Sequence, residues 1–75
     1  MNTKEKEFFI RLGVKIRKLR EEKEYEQKAF AFDCDIGRTQ LYMIESGKTN
    51  PRLLTLMKIA QGLDVSISEL LNIGK

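Results

Sequence analysis

The sequence predicts an all-α chain of five helices, on three observations. Apolar residues recur at intervals of three and four rather than two. No stretch sustains apolar–polar alternation, and no Asn-Gly pair marks a hairpin. Residues that start and stop helices fall between the apolar stripes.

Taken in order, Phe9, Leu12, Ile16 and Leu19 form one stripe of an amphipathic helix from about Lys4 to Lys23. Phe30, Ala31 and Cys34 share a face of a short helix from about Gln27 to Cys34. The stretch GRTQLYMIESGK, residues 37–48, reads as a third helix ending at Gly47, a natural C-terminal cap. Asn50-Pro51 suits a helix entrance, with Asn capping and Pro in the first turn. Leu53, Leu56, Met57, Ala60 and Leu63 make the fourth stripe. In SISELL, Ser66 and Glu69 read as a capping box opening the fifth helix. The pairs Tyr25–Phe30, Ile36–Leu41 and Val65–Leu70 each have the spacing of a hydrophobic staple, so three short helices are expected to be pinned alike. Each is too short to persist alone in water, and tertiary packing must hold it.

The 75 residues suffice for one small domain, expected to span residues 1–75. Hydrophobic residues at 41% and charged residues at 33% fit a globular chain. The formal charge of +3 is too mild to imply nucleic acid by itself, but it is unevenly placed. Arg38, Lys48, Arg52 and Lys58 stand against Glu45 alone between residues 36 and 58. The single cysteine, Cys34, excludes an internal disulfide and suits a reducing cytoplasm. It reads as a small core residue. The N-terminal stretch MNTKEKEFFIRLG has no long apolar run, so neither a signal peptide nor a membrane span is expected. With no histidine, the usual general base and commonest metal ligand is missing, which argues against an enzyme. The stretch DCDIGRTQLYMIE looks superficially like a calcium loop, but Arg38 stands where glycine is required and Glu45 falls one place late. No metal or cofactor is expected.

The third helix carries the functional reading. Leu41 and Ile44 are three apart and face inward, which turns Arg38, Thr39, Tyr42 and Met43 outward. Two short helices around a joint at Asp35–Gly37 describe a helix-turn-helix, whose second helix enters the DNA major groove.

Residues 12–71 resemble the repressor/Cro-type, or XRE, helix-turn-helix family. The resemblance is carried by the IRxLR pattern of Ile16 to Arg20, Gln27, Phe30-Ala31, Ile44-Glu45-x-Gly47, Asn50-Pro51, Leu56, Ile59-Ala60 and Leu63. It implies a compact five-helix bundle of the lambda-repressor-like type, with the helix-turn-helix at helices 2 and 3, that binds operator DNA as a dimer. It places Arg38, Thr39 and Met43 where the family reads bases, with Tyr42 adjacent. It places Gln27 on a phosphate, and Ser46, Lys48 and Asn50 in the loop that tracks the backbone. Arg20 and Glu45 occupy the positions of a buried ion pair between first and third helices. Three residues depart from the pattern. Glu26 replaces the usual Ser or Thr cap, Asp35 replaces the glycine of the turn, and Gly37 replaces the usual cap of the reading helix.

Chemically, Arg38 can fork onto guanine O6 and N7 or hold an adjacent phosphate. Thr39 can offer its methyl to thymine or its hydroxyl to phosphate. Met43 can pack on a thymine methyl or cover the core edge. Tyr42 can donate to a phosphate or lie on Asn50-Pro51. Gln27, Ser46, Lys48, Asn50 and Arg52 are the candidates that set register on the backbone. The expected partner is double-stranded DNA. A homodimer is expected because one reading helix reaches only a few bases, with Ile67, Leu71, Ile73 and Phe8 offering spare apolar surface. A protein partner, as for an antitoxin of the same fold, is the alternative, and a restriction–modification controller is a further one within the DNA-binding class. The setting expected is the cytoplasm of a prokaryote, or a phage-encoded protein acting there.

Overall fold

A computed structural model describes residues 1–74. Its five helices are α1 (Thr3–Glu22), α2 (Gln27–Asp33), α3 (Arg38–Glu45), α4 (Leu53–Gly62) and α5 (Ile67–Leu71). Among the described residues there is no strand, and no helix is long and apolar enough to cross a membrane.

Seven large side chains with almost no exposure form the centre: Leu12, Ile16, Phe30, Leu41, Ile59, Leu63 and Leu70. All five helical segments contribute, and each such side chain stabilises the fold by about 1.5–3 kcal/mol. Phe9, Leu19, Tyr25, Ile36 and Val65 pack around the edge. The predicted stripe of α1 and the shared face of α2 are therefore observed. The stripe of α4 is corrected. Leu53 and Met57 are 60% and 49% exposed, and the buried positions are Leu56, Ile59, Ala60 and Leu63. That set repeats at three, four and seven residues, the period of one helical face.

One device makes three of the four connections. After α1, α2 and α4 the chain enters the left-handed region at Glu24, Asp35 and Asp64, with φ of 55°, 59° and 60°. The next residue then bonds back five residues in a Schellman pattern: Tyr25 N–H to Arg20 O, Ile36 N–H to Ala31 O, and Val65 N–H to Ala60 O, at 3.0–3.1 Å. Tyr25, Ile36 and Val65 are also the apolar residues before the caps of the following helices. A single residue thus closes one helix through its backbone N–H and packs its side chain against the core at the entrance of the next. Tyr25 meets Phe30 edge to face at 5.0 Å between ring centres. The end of α3 uses Gly47, at φ 70°, with Lys48 N–H bonding back to Met43 O at 3.0 Å.

The caps differ from expectation in three places. Asn2 and Glu5 form a reciprocal capping box on α1 at 2.9 and 3.0 Å, which sequence reading missed. Helix α4 starts later than expected: Arg52, in an extended conformation, is its cap, and Asn50 and Pro51 precede it outside the helix. Proline disfavours helical geometry in the residue before it, which keeps Asn50 out of the helix. Ser66 accepts from the Glu69 N–H at 3.0 Å, but this is one arm of the expected box, without the return bond from Glu69. Glu26 makes no side-chain cap on α2. Ile67, Leu71 and Ile73 pack half-buried against the protein's own core rather than standing free.

Candidate nucleic-acid interface

The position of α3 is fixed from behind by glycine and by charge. Gly13 of α1 lies directly against the last turn of α3. A Cβ there would stand 2.5 Å from the carbonyl oxygens of both Ile44 and Glu45. Beside this contact Arg20 reaches across from α1. Its Nε donates to Glu45 Oε2 at 2.7 Å, and its Nη2 to Oε1 at 3.0 Å. Its Nη1 donates to the Tyr25 carbonyl at 2.7 Å, so one guanidinium ties α1, the α1–α2 joint and α3. The pair is buried, and Glu45 raises the Arg20 pKa above its ordinary value against the opposing effect of burial. The predicted ion pair is therefore present and two-pronged, a geometry that fixes orientation as well as distance.

With its inner side held, α3 presents Arg38, Thr39 and Tyr42 to solvent, while Met43 is half-buried at the margin. Leu41, Ile44 and Glu45 face the interior. The expected division of the helix is observed, and Met43 straddles the boundary. Tyr42 carries the Lys48 ammonium against its ring, 5.4 Å from the centre, and 3.5 Å from its hydroxyl. The Ser46 hydroxyl and then Lys48 hold the Tyr42 phenol below its usual range.

Two shallow depressions flank this face. On the side of α1 and α2, Gln27, Tyr42 and Ser46 line a hollow together with Arg17, Arg20 and Glu45. Gln27 is held there: its amide donates to Glu45 Oε1 at 3.1 Å, which leaves one further N–H for an anion. Ser46 donates its hydroxyl hydrogen to the Tyr42 carbonyl at 2.7 Å, so in this arrangement it has none for a phosphate. On the side of α4, Asn50 and Arg52 line a second hollow with Gln40 and Thr55. Lys48, Asn50 and Arg52 are exposed.

Sequence reasoning missed two residues here. Arg17, paired with Glu21 at 3.1 Å on an exposed surface, stands at the edge of the first hollow. Its place one turn before Arg20 was the available signal. Gln40 reaches toward the α4 side, its amide 3.4 Å from the Thr55 hydroxyl. One turn before Met43 and Ile44, it was readable only once α4 had been placed. Cys34 lies apart from this surface, where burial and then the Asp33 charge push its thiol up to about 11.

A helix-turn-helix family model, HTH_3, matches residues 16–70. The control protein C.MunI of a Mycoplasma species is 47% identical over 62 residues, covering 81% of this chain and 84% of that protein. The control protein C.BamHI of Bacillus amyloliquefaciens is 38% identical over 61 residues, covering 80% and 75%. Among solved structures, the restriction-modification controller protein C.AhdI from Aeromonas hydrophila superposes with a TM-score of 0.80 at 31% identity. That match covers 83% of this chain and 94% of that one.

Proposed function

This chain belongs to the helix-turn-helix family of DNA-binding transcription regulators, and we propose that it is a control protein of a restriction–modification system. In this reading it binds its operator as a homodimer, one α3 in each of two major-groove half-sites about 34–36 Å apart. The carrying observation is the outward face of α3, held by the Gly13 contact and the Arg20–Glu45 pair. Similarity to two control proteins over most of their length supports the narrower assignment.

Arg38 is the guanine reader, contributing about 1–3 kcal/mol of discrimination. Thr39 and Met43 contact thymine methyls, and Tyr42, steadied by Lys48, donates to a phosphate. Lys48, Asn50, Arg52 and the free N–H of Gln27 set the register on the backbone. The dimer face is on α4 rather than at the C-terminal end. Leu53, Leu54 and Met57 are 49–62% exposed and adjacent, whereas Leu71 and Ile73 already cover the core. Ile67, beside Met57, borders the same face. The setting is the cytoplasm, where Cys34 stays reduced.

Selection of bound duplexes from a random DNA pool tests this. The expected result is a two-fold symmetric consensus whose match in the source genome lies upstream of a restriction endonuclease gene. A pool that shows no enrichment would overturn the DNA-binding reading. A consensus far from any such gene would overturn the narrower one.

A further inference from the structure

We infer that a groove between α1 and the C-terminal segment docks an acidic amphipathic helix of another protein while DNA occupies α3. The groove has an apolar floor of Ile10, Val14, Leu19 and Ile73. Ile10 and Val14 are 50% and 58% exposed and lie one turn apart, so together they offer a continuous apolar strip. Three cations, Arg11, Lys15 and Lys18, line it against a single acid, Glu22. The Lys15 ammonium is fixed there by the carbonyls of Glu69 and, at 3.0 Å, Asn72, which keeps a positive charge at the groove edge.

The cations of this surface lie away from the DNA face, while Ile10, at the groove's edge, packs on Gly47 at the end of α3. Gly13 marks the side of α1 that touches α3. At about 100° per residue, Arg11, Lys15 and Lys18 lie about 140–160° around the helix from Gly13. A duplex seated on α3 therefore leaves them free. The floor favours the same conclusion about the occupant. Apolar side chains gain by covering Ile10 and Val14, whereas a phosphate backbone gains nothing from them. An apolar ridge with flanking carboxylates matches both floor and rim, the helix-in-groove mode of recognition.

The test uses the full chain and a fluorescent peptide of about 18 residues, five helical turns. The peptide carries leucines at helical spacing, flanked by glutamates. A second peptide has lysines in place of the glutamates. Anisotropy is expected to show binding of the acidic peptide alone, with amide shifts in NMR confined to the groove around Ile10, Val14 and Ile73. Val14→Glu and Lys18→Glu should each weaken it about tenfold or more, by like-charge repulsion. Combining Arg11→Glu with Lys18→Glu should transfer binding to the lysine peptide, a swap that loss of folding would not produce. Thermal melts establish that the variants fold. Absence of binding by the acidic peptide, binding insensitive to these substitutions, or displacement by a duplex lacking the operator would each overturn the inference. The last outcome would assign the cations to DNA instead.

Discussion

The α-carbon of Gly13 packs so closely on the end of α3 that an added methyl would lie 2.5 Å from the Glu45 carbonyl oxygen and 2.8 Å from its carbon. Both obstacles are backbone, so neither can swing aside. Gly13→Ala is expected to push α1 and α3 apart and to destabilise the fold by about 3 kcal/mol, the upper range for overpacking. Urea unfolding of the variant checks this, and an unchanged midpoint would show that the two helices slide freely.

Glu45 and Gln27 belong to one network but should not weigh alike. Glu45→Ala leaves the buried Arg20 guanidinium without its carboxylate and should cost about 3–5 kcal/mol. Gln27→Ala removes one hydrogen bond from a carboxylate that Arg20 still satisfies, and should cost about 1 kcal/mol. Denaturant midpoints of the two variants decide it. Equal small losses would mean that the pair is not a brace. Base preference should change less than stability in both.

Cys34 predicts a pH window. Its thiol is pushed up to about 11 in the fold from an ordinary 9.0, chiefly by burial. Below pH 9 both folded and unfolded chains keep the proton, and the contribution is fully present. Between pH 9 and 11 the unfolded chain releases it while the fold does not, so stability falls by up to about 1.4 kcal/mol per pH unit. Tyr25 and Tyr42 shift in opposite directions near this range. The slope is therefore read as the difference between the parent and Cys34→Ala. Identical slopes would show that the thiol titrates normally.

Lys48 and Arg52 predict a salt response. If each neutralises one phosphate, removing either should flatten the log–log dependence of affinity on salt by about 0.9. Anisotropy titrations across salt concentrations give the slopes. Lys48→Ala should also release Tyr42, returning its phenol toward the ordinary range.

Much of this was readable in advance because the signals are local. The stripe at Leu12 and Ile16, the joint residues Tyr25, Ile36 and Val65, and the Arg20–Glu45 pair follow from spacing and from resemblance to a known pattern. The beginning of α4 was not readable. Asn50-Pro51 carries a helix-start signal, yet the helix begins only at Leu53, after an extended Arg52. How far it must run after Gly47 depends on where α4 docks, which no local pattern encodes. The same blindness misplaced Leu53 and Met57. Both fit a helical stripe on α4, but which stripe faces inward is decided by Leu56 and Ile59 meeting the rest of the core. Ser46 and Gln27 were legible as residues of the candidate site, but not in their bonding. The Ser46 proton goes to its own helix and one Gln27 hydrogen goes to Glu45. The left-handed residues Glu24 and Asp64 gave no warning, because neither is glycine.

The central claim is that the exposed side of α3 reads bases while the loop beyond it only grips the backbone. The direct measurement is affinity for the selected operator and for its single-base variants, at fixed salt, with the parent chain, Arg38→Ala and Lys48→Ala. The account predicts that Arg38→Ala loses about 1–3 kcal/mol of discrimination at one position in each half-site, while Lys48→Ala weakens every duplex alike. Uniform weakening by Arg38→Ala, with every base preference intact, would contradict it.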